Sequence, residues 1–313
     1  MKNLLLAIVS LTAVNIYAAL PVTDGLVCRL DAASVTKSGE KVSQMTDLSG
    51  QANHAVQANI DNMPELMYNS GLPLVYFSDT LKSLVVSDNA TLVTDPNSSL
   101  TVFVAGMRSG ALLGNQPVLN KGNSTWSVYS SSNIGWSMWF WDASTGDRFV
   151  FQACSTYPTY TSIYSGAAVY DSLAIDDFFV ASVVINISGL NKTITLETDP
   201  EIAGGATSKG NYFRDSIDTA ENIVISSESF YLGELLIYNR SLTPEEISSV
   251  RTYLGDKYVL TDYNCAYVWQ QGLGDPMDFN QDCYVNFVDF AYFAEKWLFC
   301  NNPDDSSCVQ LQF

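Results

Sequence analysis

The feature that most limits what this chain can fold into is a long succession of short apolar runs, each broken by turn residues, with no long helical stretch between them. Runs at 25–30, 74–77, 84–86, 100–107, 137–141, 148–151, 178–185, 193–197 and 229–238 read as strands. Thr193-Ile194-Thr195-Leu196-Glu197 alternates cleanly, as a half-buried strand does, and 178–185 is apolar almost throughout. Regularly spaced short strands of this kind close into a sandwich or a barrel. One helix is predicted after the last run. Thr243 is placed to cap it, Pro244 suits its first position, and Glu246 stands three residues after the cap. Ile247, Val250, Arg251 and Leu254 follow at helical spacing, and Gly255 is expected to end it. Beyond 258 the composition changes to dense Cys, Asp, Phe and Trp, so a β domain over 19–258 and a separate tail over 259–313 are expected.

The first eighteen residues are expected to lie outside the fold. Lys2 gives a positive start, 4–14 is apolar over signal-peptide length, and Ile16-Tyr17-Ala18 offers a cleavage site. Export predicts a secreted or cell-surface protein and makes the six cysteines candidates for disulfides rather than metal ligands. Six cysteines allow fifteen pairings. Their clustering suggests Cys265 with Cys283, Cys300 with Cys308, and Cys28 with Cys154. The formal charge of −18, from 33 acidic and 15 basic residues, argues against nucleic acid and anionic membrane as partners. No segment after the first eighteen is long and apolar enough to span a bilayer.

Several pieces of the β region carry a family resemblance. Gly25-Leu26-Val27-Cys28-Arg29-Leu30-Asp31-Ala32 resembles an opening strand, and Asp47-Leu48-Ser49-Gly50-Gln51-Ala52-Asn53-His54-Ala55 a D-x-S-G-x-x-N-x-A loop. Residues 99–104 resemble a central strand, and 233–258 a closing strand with its terminal helix. In this order they are similar to laminin-G-like, concanavalin A-like domains of bacterial surface proteins. The resemblance implies an all-β, two-sheet jelly-roll sandwich over 24–258. It does not fix a ligand, because that fold hosts lectins, adhesion modules and glycosidases.

Catalytic candidates are few. Glycosidases on such folds place acids at alternate positions of one strand. Glu197, Asp199 and Glu201 have that spacing, but Pro200 interrupts them, and a strand end running into a turn is the favoured reading. His54, the one histidine, sits in the loop that the resemblance reads as structural. A zinc site would lack ligands. Trp126, Tyr129, Trp136, Trp139 and Trp141 form either a sugar-stacking platform or core, and core is favoured. A non-enzymatic protein is therefore expected.

The sharpest chemical pattern lies in the tail. Asp278-Phe279-Asn280-Gln281-Asp282-Cys283-Tyr284-Val285-Asn286-Phe287-Val288-Asp289 puts side-chain oxygens at positions one, three, five, nine and twelve of a twelve-residue loop. Calcium takes six to eight hard oxygens, and this spacing wraps them about one ion. Asp278, Asn280, Asp282 and Asp289 would ligate through side chains, Tyr284 through its carbonyl, and Asn286 directly or through water. Phe290, Phe293, Ala294, Trp297 and Leu298 then form a helical apolar stripe. Loop and helix resemble half of a dockerin, which implies structural Ca2+ and raises a cohesin-like partner. Cys283 stands where a glycine is usual, and no second loop is present. The expected function is a secreted or surface binding protein that recognises a glycan or a surface protein. A polysaccharide hydrolase and a structural matrix component are the alternatives.

Overall fold

The computed structural model describes residues 19–69, 72–92, 99–110, 116–122, 135–141, 148–154, 178–188, 191–199, 206–210, 220–258, 276–279, 285 and 287–296. The expected signal segment, Trp126 and Tyr129 lie outside them. The chain divides into two compact units, Met1–Leu260 and Thr261–Phe313.

Among the described residues the first unit is all-β with one α-helix and a single 3-10 turn at Ile60–Asn62. In chain order its strands are β1 (Leu26–Ser38), β2 (Lys41–Asp47), β3 (Ala55–Val56), β4 (Glu65–Asn69), β5 (Leu72–Phe77), β6 (Ser83–Val86), β7 (Leu100–Arg108), β8 (Gln116–Gly122), β9 (Gly135–Trp141), β10 (Arg148–Cys154), β11 (Phe178–Ser188), β12 (Asn191–Asp199), β13 (Ala206–Gly210), β14 (Ile223–Ser226) and β15 (Phe230–Tyr238). Their pairings are antiparallel and follow the path β10-β9-β8-β14-β6-β3-β2-β4-β5-β15-β7-β11-β12-β13, with β1 pairing both β15 and β2. The two halves of the path meet in one hydrophobic cluster. Met138, Phe140, Phe149 and Ile225 enter it from one half, and Val104, Phe179, Val183 and Leu235 from the other.

Strand β7 shows why near-continuous apolar runs were needed. Leu100, Val102 and Val104 face that first cluster, while Phe103, Ala105 and Met107 face a second one. The second cluster is covered by α1 (Pro244–Tyr258) and by Leu20 and Val22. Both faces of β7 are buried, and an alternating polar pattern could not have served there.

Helix α1 starts as its sequence predicts. Glu246 N–H donates to Thr243 Oγ1 (3.3 Å) and Thr243 N–H donates back to Glu246 Oε2 (2.9 Å), a reciprocal capping box. It does not stop at Gly255. It runs through to Tyr258, because Lys257 and Tyr258 are buried on the same stripe as Val250 and Leu254. Tertiary contacts override a glycine whose missing side chain leaves only open space. In the second unit the described helix is α2 (Phe287–Lys296). Among the described residues no helix is long and apolar enough to cross a membrane.

Candidate functional site

The loop after β2 is a closed polar knot. Asp47 Oδ1 accepts from the backbone N–H of Arg29 (2.8 Å) and Ser49 (2.9 Å). Its Oδ2 accepts from Asn53 N–H (2.8 Å) and the Ser49 hydroxyl (2.7 Å). Asn53 is buried; its amide donates to the Val27 carbonyl (2.6 Å) and to Thr91 Oγ1 (2.8 Å). His54 Nδ1 accepts from Asp47 N–H at 3.0 Å, so that nitrogen is already engaged as a structural acceptor. Gly50 and Ala52 turn the chain with positive φ (87° and 60°). The spaced Asp, Ser, Gly and Asn of this segment thus all act on the backbone.

Cys28 is a correction. Its thiol is free, fully buried on β1, and points at the Asn53 carbonyl (3.6 Å), so the Cys28–Cys154 disulfide is not formed. Burial, and then the nearby Asp47 carboxylate, push its pKa well up. An inert buried thiol results.

Of the catalytic candidates, Glu197 is ion-paired with Arg251 of α1. The Asp199 side chain and Glu201 lie outside the described residues. Trp136 and Phe140 belong to the core and stack or tilt against Phe151 (6.2 Å) and Phe149 (5.3 Å). Trp139 is buried as well, on the other face of β9. The core reading holds for these residues.

In the tail, Asp278 and Asp289 are each only 2% exposed. Their neighbours are not: Met277 is 59%, Val285 56% and Phe287 89% exposed. Phe279 stacks on Phe293 of α2 at 5.5 Å, which ties the start of the acidic segment to the helix that follows it. Asn280, Asp282, Tyr284 and Asn286 lie outside the described residues.

A second cluster was missed at the sequence level. Arg29 and Asp31 of β1, Glu234 of β15, and Tyr253 and Lys257 of α1 form one buried network. Lys257 Nζ donates to Asp31 Oδ2 (2.5 Å) and to Glu234 Oε2 (2.7 Å). Arg29 Nε donates to Glu234 Oε1 (2.8 Å), and its terminal nitrogen to Tyr253 Oη (2.9 Å). Burial works against the charge of Lys257, but Glu234 and Asp31 outweigh it and raise its pKa. Burial, then Glu234, push the Tyr253 phenol up to about 12. The signal that could have found this network is the spacing of Lys257, which continues the Val250–Leu254 stripe past the expected helix end at Gly255.

No protein-family model matches the chain, and no curated protein does. Solved structures show a distant likeness. The binding domain of Paraclostridial Mosquitocidal Protein 1 superposes with a TM-score of 0.48 at 14% identity, over 74% of this chain and 52% of that one. Trypanosoma rangeli sialidase does so at 0.48 and 15%, over 78% and 35%. The Botulinum neurotoxin serotype G binding domain gives 0.44 and 10%, over 73% and 50%. The chain spans about half or less of the length of these structures.

Proposed function

We propose that this chain is a secreted or cell-surface, non-catalytic binding protein with a calcium-holding tail. In this reading residues 19–258 form a two-sheet jelly roll that recognises carbohydrate or protein. Residues 259–313 hold one structural Ca2+ in the loop from Asp278 to Asp289. The observation that carries the calcium assignment is the burial of both loop ends, Asp278 and Asp289, amid exposed apolar neighbours. Hard oxygens brought together at both ends of one loop suit a divalent cation, which takes several of them at once. Asn280, Asp282, Asn286 and the Tyr284 carbonyl complete an all-oxygen set, which suits a hard cation and not zinc. The ion would hold the loop closed over α2 and do no chemistry.

The non-catalytic reading rests on how the candidate groups are engaged: His54 accepts a backbone hydrogen bond, and Glu197 is held by Arg251. The half-dockerin resemblance extends the proposal to a cohesin-like partner. The exposed Phe287, Val288, Phe290 and Tyr292 of α2 would be available to it.

Calorimetric titration of calcium into the oxidised full chain tests the assignment. One saturable site, absent from an Asp278→Ala/Asp282→Ala variant, is expected. No calcium-dependent heat in folded protein would end it. Extracellular calcium sites are often weak, so the titration should reach millimolar calcium, on the order of 10⁻³ M.

A further inference from the structure

The antiparallel register of β1 and β15 sets Asp31 directly opposite Glu234. Like charges in that position repel. Here both are withdrawn from water as well, Asp31 being 7% and Glu234 0% exposed. The register shift between Leu232 and Glu234 is what turns the Glu234 carboxylate onto the face beneath α1. Gly233 permits the approach, since a Cβ there would stand 2.4 Å from the Tyr258 ring. Into this site α1 delivers the Lys257 amine, 2.5 Å from Asp31 Oδ2 and 2.7 Å from Glu234 Oε2. The rings of Tyr253 and Tyr258 lie 5.9 and 5.1 Å from Nζ. An amine is thus held against one carboxyl group, with a second carboxyl on the same nitrogen, and all three groups are buried.

We propose that Lys257 and Asp31 condense into an intramolecular amide bond, with Glu234 as the catalytic proton carrier. One proton passes from the Lys257 ammonium to the Asp31 carboxylate, giving an amine beside a carboxylic acid. The Nζ lone pair attacks the Asp31 Cγ, and the C–N bond forms. Glu234 takes a second proton from Nζ and returns it to the departing hydroxyl. The C–O bond breaks and one water leaves; nothing is oxidised or reduced.

The charge balance favours this outcome. Before the step, two cations (Arg29, Lys257) face two anions (Asp31, Glu234). Afterwards the Arg29–Glu234 pair remains, still neutral in sum, beside an uncharged amide. Buried ion pairs carry a heavy desolvation cost, which the amide avoids. Holding the reacting groups in contact supplies the high effective concentration that a slow, single-turnover condensation needs. Arg29 and Tyr253 act as positioning residues, through their hydrogen bonds to Glu234. The bond would tie the first strand of the β unit to its last helix across 226 residues of chain.

The test is a tryptic digest of the folded full chain after reduction. Lys257 in amide linkage resists trypsin. A branched product joining residues 30–37 to residues 252–296, one water lighter than the two peptides together, is therefore expected. The branched product should be absent from Lys257→Arg, which keeps the charge, and lost or slowed in Glu234→Gln. Full recovery of separate linear peptides 30–37 and 252–257 from folded wild-type protein would overturn the proposal. A fully cross-linked Glu234→Gln variant would overturn the role of Glu234.

Discussion

Asp47 in the β unit and Asp278 in the tail are both buried carboxylates that open Asn-bearing loops, but they are surrounded differently. Around Asp47 the chain supplies its own partners: three backbone N–H groups and the Ser49 hydroxyl fill both oxygens. Nothing is left for an ion to do, and the loop is a structural knot. Around Asp278 the sequence repeats oxygen-bearing side chains at every second position through Asp282, and Asp289 is buried at the far end. The order of donors and acceptors, more than the count of acids, is what leads us to propose a cation for the tail loop and none for the Asp47 turn.

Substitutions in the two regions should have different consequences. The largest loss is expected from Lys257→Met in the β unit, which leaves Asp31 and Glu234 face to face. It should lower stability by about 4 kcal/mol, measured by urea unfolding. Asp47→Ala orphans three amides and should cost about 3 kcal/mol, on the order of 1 kcal/mol each, equally with calcium or with chelator. Asp278→Ala should instead abolish a calcium-dependent stabilisation of the tail. The loss expected is about 2.7 kcal/mol with calcium at a hundredfold the Kd of the proposed site. Thr243→Ala, which removes the α1 cap, should cost about 1 kcal/mol and be blind to calcium.

The smallest effect concerns pH. Hydrogen bonds from Arg240 and then from the Thr243 backbone hold the Glu246 carboxyl down at about 2, against an ordinary 4.5. A depressed carboxylate stabilises the fold above its unfolded pKa and ceases to as pH falls through the folded one. The contribution should therefore fade between about 4.5 and about 2, and a Glu246→Gln variant should show a flatter acid limb.

Local patterns were legible where a local cause produced them. The apolar runs became strands, Thr243 and Glu246 formed their capping box, and the spaced polar residues from Asp47 to Asn53 closed one loop. The network around Glu234 was not legible, because Arg29 and Asp31 lie more than 200 residues before Glu234 and Lys257 and are brought to them by the β1–β15 register. The extra turn of α1 past Gly255 escaped for the same reason: Lys257 and Tyr258 earn their helical geometry from distant contacts. Cys28 misled because clustering along the sequence says nothing about which side of a strand a thiol faces.

Hydrogen exchange of the tail amides, in calcium and in chelator, asks whether an ion closes the Asp278–Asp289 loop. Slow exchange across α2 in calcium, collapsing in chelator while the amides of β7 and β15 stay protected, is the result expected of a loop closed by an ion. Equal protection of α2 in both conditions would contradict it and make the acidic loop a turn like the one at Asp47.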